Sequence, residues 1–237
     1  MIYNNIAVIP ARGGSKRIPR KNIKDFLGIP IIQRTIDILH EANIFEKILV
    51  STDDQEIAEI SIQSGAEVPF LRPRHLADDH TPTAPVIKDT IKKYCEKNNV
   101  TINLCCCVYP CNPMLKSETI IRAKNMLIEH NVDFVYPVCV YPHPIQRTMR
   151  IDTNGRMDFL YPEHELTRTQ DLEECFHDAG QFYWGQTTAW LEEKRMHSDG
   201  MGMEIPASQV IDIDNEDDWL RAEALYKISN INTMENL

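Results

Sequence analysis

The chain has 237 residues, with 25 Lys and Arg against 35 Asp and Glu, a formal net charge of -10 and 43% hydrophobic residues. This length can bury a sizeable core in one domain, and the composition excludes a disordered or collagen-like chain. The negative charge argues against a nucleic-acid binder, and no run approaches the roughly 20 apolar residues that span a bilayer.

The first residues and the seven cysteines point to a cytoplasmic protein. The N-terminus enters a strand-like run at once, without the charged and apolar regions of a signal peptide. Cys105, Cys106 and Cys107 are consecutive in an apolar run, no cysteines form a C-x-x-C pair, and their number is odd. We therefore expect thiols that are mostly buried, rather than disulfides or a metal site.

Short apolar runs alternate with amphipathic segments along most of the chain. They predict strands at 6–9, 47–51, 104–109 and 134–138, and helices near 30–42, 57–64, 87–95 and 120–127. Such alternation is typical of a parallel sheet covered by helices on both faces. We predict an α/β fold with a Rossmann-like, mostly parallel sheet, in a single domain spanning 1–237.

The alternation stops between about residues 140 and 170. Asn154 and Gly155 separate two alternating runs there, which predicts a β-hairpin. Apolar side chains recur in the two runs, at Met149, Ile151, Met157, Phe159 and Tyr161. Because an isolated hairpin is only marginally stable, this apolar face should pack against something. A second subunit is one candidate, which would make the insertion a dimerisation arm, and the hairpin's own domain is an equal alternative.

The sheet pattern resumes near the C-terminus, with predicted strands at 181–184 and 210–213. Asn215 is a predicted N-cap, with Asp218 placed to complete a capping box. The closing helix that follows has one apolar face, formed by Trp219, Ala222 and Tyr226.

The segment after the first strand concentrates glycine and positive charge. It reads PARGGSKRIPRKN from Pro10 to Asn22, and residues 1–24 carry six cations and no acid. The glycines allow a tight turn whose N–H groups face phosphate oxygens, at the strand end where open α/β sheets bind ligands. The dinucleotide and P-loop fingerprints are both absent. We predict a phosphate-binding loop, with a solvated basic loop as the alternative.

Asp212 and Asp214 form the second signal. On a strand, residues two apart share a face, with Cα atoms about 6.6 Å apart. Two carboxylates beside a phosphate chain would repel it unless a cation intervened, and Mg²⁺ binds through one or two carboxylates plus substrate phosphates. We expect Asp212 and Asp214 to hold Mg²⁺, or alternatively Mn²⁺. A surface strand with two solvated aspartates is the competing interpretation.

These motifs resemble the CMP-sialic acid synthetases, or acylneuraminate cytidylyltransferases, which activate nine-carbon acidic sugars. The resemblance rests on IPARGGSK and IPRKN in the loop, VSTD at 50–53, LRP and ADD within 71–79, and IDID at 211–214. The run DAGQFYW at 178–184 is most similar to the branch that activates pseudaminic acid. The resemblance implies a nucleotidyltransferase-type fold.

The resemblance also implies roles for individual residues. The nucleotide would contact Ala11, Arg12, Gly13, Gly14, Ser15, Lys16, Lys21, Asn22, Arg72, Thr81 and Thr83. For the last three, which would read the cytosine edge, a structural role is an equal alternative. The sugar acid would contact Arg168, Gln181, Phe182 and Tyr183. The catalytic residues would be Arg12, Lys16, Lys21, Asp212 and Asp214.

The implied reaction is Mg²⁺-dependent transfer of CMP from CTP to the anomeric hydroxyl of the sugar acid, with release of pyrophosphate. Pseudaminic acid is the expected acceptor, and N-acetylneuraminate, legionaminate and Kdo are alternatives. A non-catalytic CTP-binding protein is an alternative of another class. We expect a homodimer that uses CTP and a sugar acid and binds neither nucleic acid nor membranes.

Overall fold

The fold is that of a computed structural model, which describes residues 4–234 and side chains up to residue 229. The first three residues, which belong to the segment compared with a signal peptide, lie outside the described residues. Within the described part, no helix is both long and apolar enough to cross a membrane.

Strands and helices alternate along the described chain. The strands are β1 (Asn5–Pro10), β2 (Asp25–Phe26), β3 (Ile29–Pro30), β4 (Lys47–Ser51), β5 (Leu104–Val108), β6 (Phe134–Val140), β7 (Met149–Ile151), β8 (Met157–Phe159), β9 (Phe176–Asp178), β10 (Phe182–Gln186) and β11 (Gly200–Glu204). The α-helices are α1 (Ile31–Ala42), α2 (Gln55–Gln63), α3 (Thr83–Asn98), α4 (Ser117–His130), α5 (Thr187–Leu191) and α6 (Glu216–Met234).

A seven-stranded sheet forms the centre of the molecule, in the order β11-β6-β10-β5-β1-β4. Strands β4, β1, β5, β6 and β11 run in one direction, while β10 runs antiparallel between β5 and β6. Strand β9 runs antiparallel to the C-terminal half of β6. The predicted mostly parallel sheet is therefore confirmed.

Both faces of this sheet are apolar and covered by helices. Ala7 and Ile9 of β1 belong to a buried cluster that includes residues of α1, α2 and α4. Ile6 and Val8 belong to a second cluster, with residues of α3 and α5. Burial on both faces explains why the strands are almost continuously apolar in the sequence.

Most cysteines are buried, as predicted. Cys105, Cys106 and Cys107 form the middle of β5 and are fully buried, and Cys139 of β6 is also buried. Burial raises the pKa of each of the three thiols in β5, so they stay protonated at neutral pH. Their role in the structure is to fill the core beside β1.

The strand predicted at 181–184 corresponds to β10, whereas the strand predicted at 210–213 is wrong. The run at 210–213 is extended but forms no strand, and β11 at Gly200–Glu204 takes the sheet edge instead. Glycine is depleted in strands, which hides β11 in the sequence. A Cβ at Gly200 would lie 2.2 Å from the Met196 carbonyl oxygen, so this close contact requires glycine.

The closing helix begins as predicted. The Asn215 side chain accepts a hydrogen bond from the Asp218 N–H at 3.0 Å, and the Asp218 carboxylate accepts one from the Asn215 N–H at 3.2 Å. Trp219 and Ala222 are buried against Ile211 and Ile213. The capping box therefore fixes the start of α6, and its apolar face holds the 211–213 segment in place.

The predicted hairpin is also present. Strands β7 and β8 pair so that Met149 lies opposite Phe159, and Ile151 opposite Met157. Ile151 is 67% exposed and Met157 57% exposed, so this apolar surface does not pack on the chain's own sheet. That this surface forms a dimerisation arm stays a prediction.

Candidate active site

A cavity of about 300 Å³ opens at the carboxyl ends of the central strands. It is bordered by the loop after β1, the segment 72–83, the loop after β5 and the segment 212–214. Ten of the residues predicted from the sequence line it: Arg12, Ser15, Lys16, Lys21, Asn22, Arg72, Thr81, Thr83, Asp212 and Asp214. The structure thus brings together the basic loop and the aspartate pair, which are far apart in the sequence.

The glycine-rich loop is fixed at its base and open at its tip. Ala11 is buried and donates its N–H to the Ser51 carbonyl at 2.9 Å, and the Gly13 N–H donates to Asp53 Oδ1 at 2.9 Å. Within residues 4–234 the N–H groups of Gly14 and Lys16 have no hydrogen-bond partner. Two of the backbone donors expected to face phosphate are therefore free to do so, whereas that of Gly13 is used internally.

Arg20 braces the loop against the start of α2. It has a left-handed backbone conformation, with φ 55°, and its guanidinium donates to the Asp54 carboxylate at 2.5 and 3.0 Å. Asp54 also caps α2 by accepting from the Ile57 N–H at 3.0 Å. The bond from Arg20 is the main reason that the pKa of Asp54 lies below its usual range.

Two cations of the loop, Arg12 and Lys16, form ion pairs with the carboxylate of Asp79. Arg12 Nη1 donates to Asp79 Oδ1 at 2.6 Å and to the Asp78 carbonyl at 2.9 Å, and Lys16 forms an ion pair with Asp79. The hydrogen bond from Lys16, followed by that from Arg12, lowers the pKa of Asp79. Asp79 is therefore ionised at neutral pH.

The residues predicted to read a cytosine edge already have partners in the protein. Arg72 is 7% exposed and donates to the side chain and carbonyl of Ser51, and its burial lowers its pKa. Thr81 Oγ1 donates to Asp78 Oδ1 at 2.7 Å, and Thr83 Oγ1 lies 2.7 Å from the Tyr109 hydroxyl. These bonds fix the shape of this side of the cavity.

The two predicted metal ligands border the cavity on an extended segment rather than a strand. Asp214 forms an ion pair with Arg17 at 2.6 Å, and between the aspartates the Ile213 carbonyl accepts from Lys21 Nζ at 2.7 Å. The Asp212 carboxylate has no hydrogen-bond partner among the described residues. Partial desolvation raises the pKa of Asp212, and the charge of Asp214 raises it further.

This arrangement fits a divalent cation that is shared with a ligand. Two carboxylates offer hard oxygen donors, and one of them has no protein partner. Nevertheless, the described residues contain no group of three or more metal-ligating side chains. Mg²⁺ characteristically binds through one or two carboxylates together with substrate phosphates, and the loop cations stand beside this pair.

None of the four residues predicted to contact the sugar acid lines this cavity. Arg168 forms an ion pair with Asp171 in the insertion at 2.7 Å, and Gln181 is buried and donates to the Gln209 carbonyl. Phe182 and Tyr183 are buried on opposite faces of the sheet. Each of these two side chains packs in the core cluster on its own face of the sheet, and direct contact of the four residues with a ligand stays a prediction.

Sequence reasoning missed several residues that border the cavity, including Tyr109, Cys111 and Asn112. Three of them directly follow β5, at the carboxyl end of a central strand, so the rule that ligands bind at such ends would have found them. Burial raises the pKa of Tyr109 to about 12, and likewise that of Cys111, so neither ionises at neutral pH. Arg17, one of the cations of the basic loop, also borders the cavity.

Comparisons with known proteins agree with this geometry. Residues 6–212 match a family model described as cytidylyltransferase. The chain is 36% identical, over 95% of its length and 97% of the relative's, to a protein of Campylobacter jejuni named pseudaminic acid cytidylyltransferase. It is 31% identical, over 94% of its length and 97% of the relative's, to the CMP-N,N'-diacetyllegionaminic acid synthase of Legionella pneumophila.

A solved structure supports the fold. The structure of CMP:2-keto-3-deoxy-manno-octonic acid synthetase complexed with CTP superposes with a TM-score of 0.70, covering 95% of this chain and 99% of that one. At 16% sequence identity, this similarity concerns the fold alone. It confirms the predicted nucleotidyltransferase-type α/β architecture.

Proposed function

Because the chain belongs to the cytidylyltransferase family, we propose that it transfers CMP from CTP to the anomeric hydroxyl of a nine-carbon acidic sugar. The proposed acceptor is pseudaminic acid, since two relatives named pseudaminic acid cytidylyltransferase are 36% identical to the chain, against 31% for the legionaminic acid synthase. One observation carries the proposal. A single cavity gathers the loop cations Arg12, Lys16 and Lys21 opposite the carboxylates Asp212 and Asp214.

The loop supplies the positive charge that the reaction needs. The sugar hydroxyl oxygen forms a bond to the α-phosphorus of CTP, the bond from that phosphorus to the bridging oxygen breaks, and pyrophosphate leaves with the electron pair. Arg12, Lys16 and Lys21 would stabilise the charge that develops on the pyrophosphate, together with the free N–H groups of Gly14 and Lys16.

Asp212 and Asp214 would hold a divalent cation, either Mg²⁺ or Mn²⁺. When bound, the cation would reduce the charge of the phosphates and favour ionisation of the sugar hydroxyl. Asp212 is suited to this role because its carboxylate has no protein partner. Asp214 would release Arg17 in order to bind the cation. Its backbone N–H would stay bonded to the Asp218 carboxylate, at 3.1 Å.

Positioning supplies the rest of the catalysis in this proposal. The transfer requires no protein nucleophile, because the sugar hydroxyl attacks the phosphorus directly. Holding two substrates in line in one site can contribute about 7–11 kcal/mol to lowering the barrier. The cavity is lined by rigid groups, such as the buried Arg72 and the hydrogen-bonded pair of Thr83 and Tyr109, which suits this demand.

The insertion would pair two copies of the chain. Met149, Ile151 and Met157 form an exposed apolar surface on the hairpin, and Leu166, which follows it, is 94% exposed. Burying such a surface against an identical one is favourable, because apolar area is removed from water on both sides. We therefore propose a homodimer that is held together by this arm.

The proposal is tested by measuring pyrophosphate release with CTP, Mg²⁺ and each of four acids: pseudaminic acid, N-acetylneuraminate, N,N'-diacetyllegionaminate and Kdo. We expect the highest kcat/KM with pseudaminic acid. A clear preference for another acid would reassign the acceptor. Binding of CTP without pyrophosphate release from any acid would instead indicate a non-catalytic nucleotide-binding protein.

A further inference from the structure

The carboxylate of Asp79 contacts two cations of the glycine-rich loop, Arg12 and Lys16. Asp79 presents Oδ1 to Arg12 and Oδ2 to Lys16, so each oxygen of the carboxylate faces one cation. These are two of the three cations assigned above to the phosphates. An internal carboxylate therefore pairs with two of the cations that would bind the phosphates of the nucleotide.

The neighbouring Asp78 has a different role. Its side chain accepts hydrogen bonds from the N–H groups of His80 and Thr81, at 2.9 and 2.7 Å, and from the Thr81 hydroxyl. It therefore fixes the turn from within. Asp79 makes no such bond, and within the described residues its carboxylate contacts only Arg12 and Lys16. Its side chain can leave the cations while Asp78 keeps the turn intact.

The contacts of Asp79 are of a kind that a phosphate chain can displace. The side chain of Asp79 is 34% exposed and that of Lys16 is 77% exposed, and ion pairs this open to water contribute little free energy. A phosphate chain carries more charge than one carboxylate, and it can use the remaining donors of both cations. Arg12 donates only through Nη1 within the described part, which leaves its Nη2 and Nε available.

We propose that Asp79 is an autoinhibitory anion, which occupies Arg12 and Lys16 in the free protein and is displaced by the phosphates of the nucleotide. The proposal rests on the proposed function, because it takes these two cations as the phosphate site. Asp79 weakens nucleotide binding, since its pairs with the cations must break first. The same carboxylate recaptures the cations when pyrophosphate leaves, which favours product release.

The test compares two variants of Asp79 with a matched control. Asp79→Asn removes the charge with little change in shape, and Asp79→Ala removes the side chain's polar atoms as well. The control is Glu67→Gln, which removes one charge from another exposed ion pair, with Lys47, away from the cavity. Both Asp79 variants and the control remove one negative charge. A difference between them therefore reports the position of the charge and not the net charge of the protein.

Titration calorimetry would measure the dissociation constants of two probes, CTP and inorganic triphosphate. Both Asp79 variants are expected to bind both probes about three- to tenfold more tightly than the wild type, as follows from removing one charge several ångströms from a phosphate. Glu67→Gln is expected to bind both probes as the wild type does. Unchanged unfolding temperatures without ligand would show that the variants differ at the site and not in stability.

Each result of these titrations either supports or overturns the proposed role of Asp79. Equal or weaker binding of inorganic triphosphate by both Asp79 variants would overturn the proposal, because Asp79 would then be neutral or would position the cations. Absence of measurable triphosphate binding by every variant would overturn it as well. The inorganic probe contains no base and needs no acceptor. Tighter binding of triphosphate by the Asp79 variants would support the role of Asp79 whichever nucleotide the protein prefers. A protein that does not prefer CTP over ATP would count against the proposed function alone.

Discussion

Gly13 lies so close to Asp54 that a Cβ at Gly13 would stand 2.7 Å from Asp54 Oδ2. Asp54 has little freedom to move away, because Arg20 holds its carboxylate by two hydrogen bonds and the Ile57 N–H holds it by a third. The glycine-rich loop is therefore packed against the N-terminus of α2. This contact connects the position of the loop cations to the rest of the fold.

The two glycines of the loop should consequently respond differently to substitution. Gly13→Ala should move the loop and weaken CTP binding by about tenfold, since overpacking of a fixed contact typically costs about 1–3 kcal/mol. At Gly14 a Cβ would meet nothing within 4 Å, so Gly14→Ala should bind CTP nearly as the wild type does. Dissociation constants from calorimetry would test this difference. Equal effects of the two substitutions would contradict the packing described here.

Asp54 should also contribute to stability in a pH-dependent way. Asp54→Ala removes a helix N-cap and should lower the free energy of unfolding by about 1–2 kcal/mol at pH 7. The pKa of Asp54 in the folded protein lies below its ordinary value of 3.8, so the carboxylate stabilises the fold above that value and loses this effect as the pH falls through the folded pKa. Urea unfolding at pH 7 and near pH 3 would measure the difference between wild type and variant. A difference that stays constant between these pH values would contradict this account.

The basic loop and the aspartate pair were predictable because their signals are local. Arg12, Lys16 and Lys21 follow an apolar strand directly, and the carboxyl ends of parallel strands meet at one edge of the sheet. Asp212 and Asp214 were recognised as a pair although the predicted strand was wrong. Extended backbone places residues two apart on one side whether or not the segment pairs in a sheet.

The position of β10 in the sheet and the contacts of Asp79 could not be predicted, because they depend on contacts between distant parts of the chain. The run at 181–184 predicted a strand, but not that β10 runs antiparallel between β5 and β6, where Phe182 and Tyr183 are buried. A short apolar run carries no information about which strands lie beside it or about its direction in the sheet. The pairing of Asp79 with Arg12 likewise joins residues 67 positions apart, and no local pattern predicts it.

The hairpin gives a direct test of the proposed dimer. Ile151 is 67% exposed, and Ile151→Asp should convert a dimer into a monomer, because a charge would be buried in an apolar interface. Ile62→Asp is the matched control, since Ile62 is 55% exposed on α2, outside the insertion. Light scattering after size-exclusion chromatography would give the masses. A wild-type monomer, or a dimer that survives Ile151→Asp, would refute the role of this arm.

The aspartate pair should be needed for turnover more than for folding. Asp212→Ala should lower kcat at least about a hundredfold, because the cation that stabilises the transferring phosphate would lose a ligand. CTP affinity and the unfolding temperature should change little, since Asp212 makes no hydrogen bond within the described residues. Asp217→Ala, which removes an exposed acid from the first turn of α6, serves as the control. Near-normal turnover of Asp212→Ala would contradict the proposed role.

The most direct test of CMP transfer at this cavity is to follow the phosphorus atoms of CTP. Phosphorus NMR of the wild-type protein with CTP, Mg²⁺ and pseudaminic acid should show a phosphodiester resonance and pyrophosphate appearing in equal amounts as CTP disappears. The Asp212→Ala variant should produce neither over the same time. Release of pyrophosphate without the phosphodiester, or unchanged CTP in the presence of every sugar acid of the panel, would contradict the account.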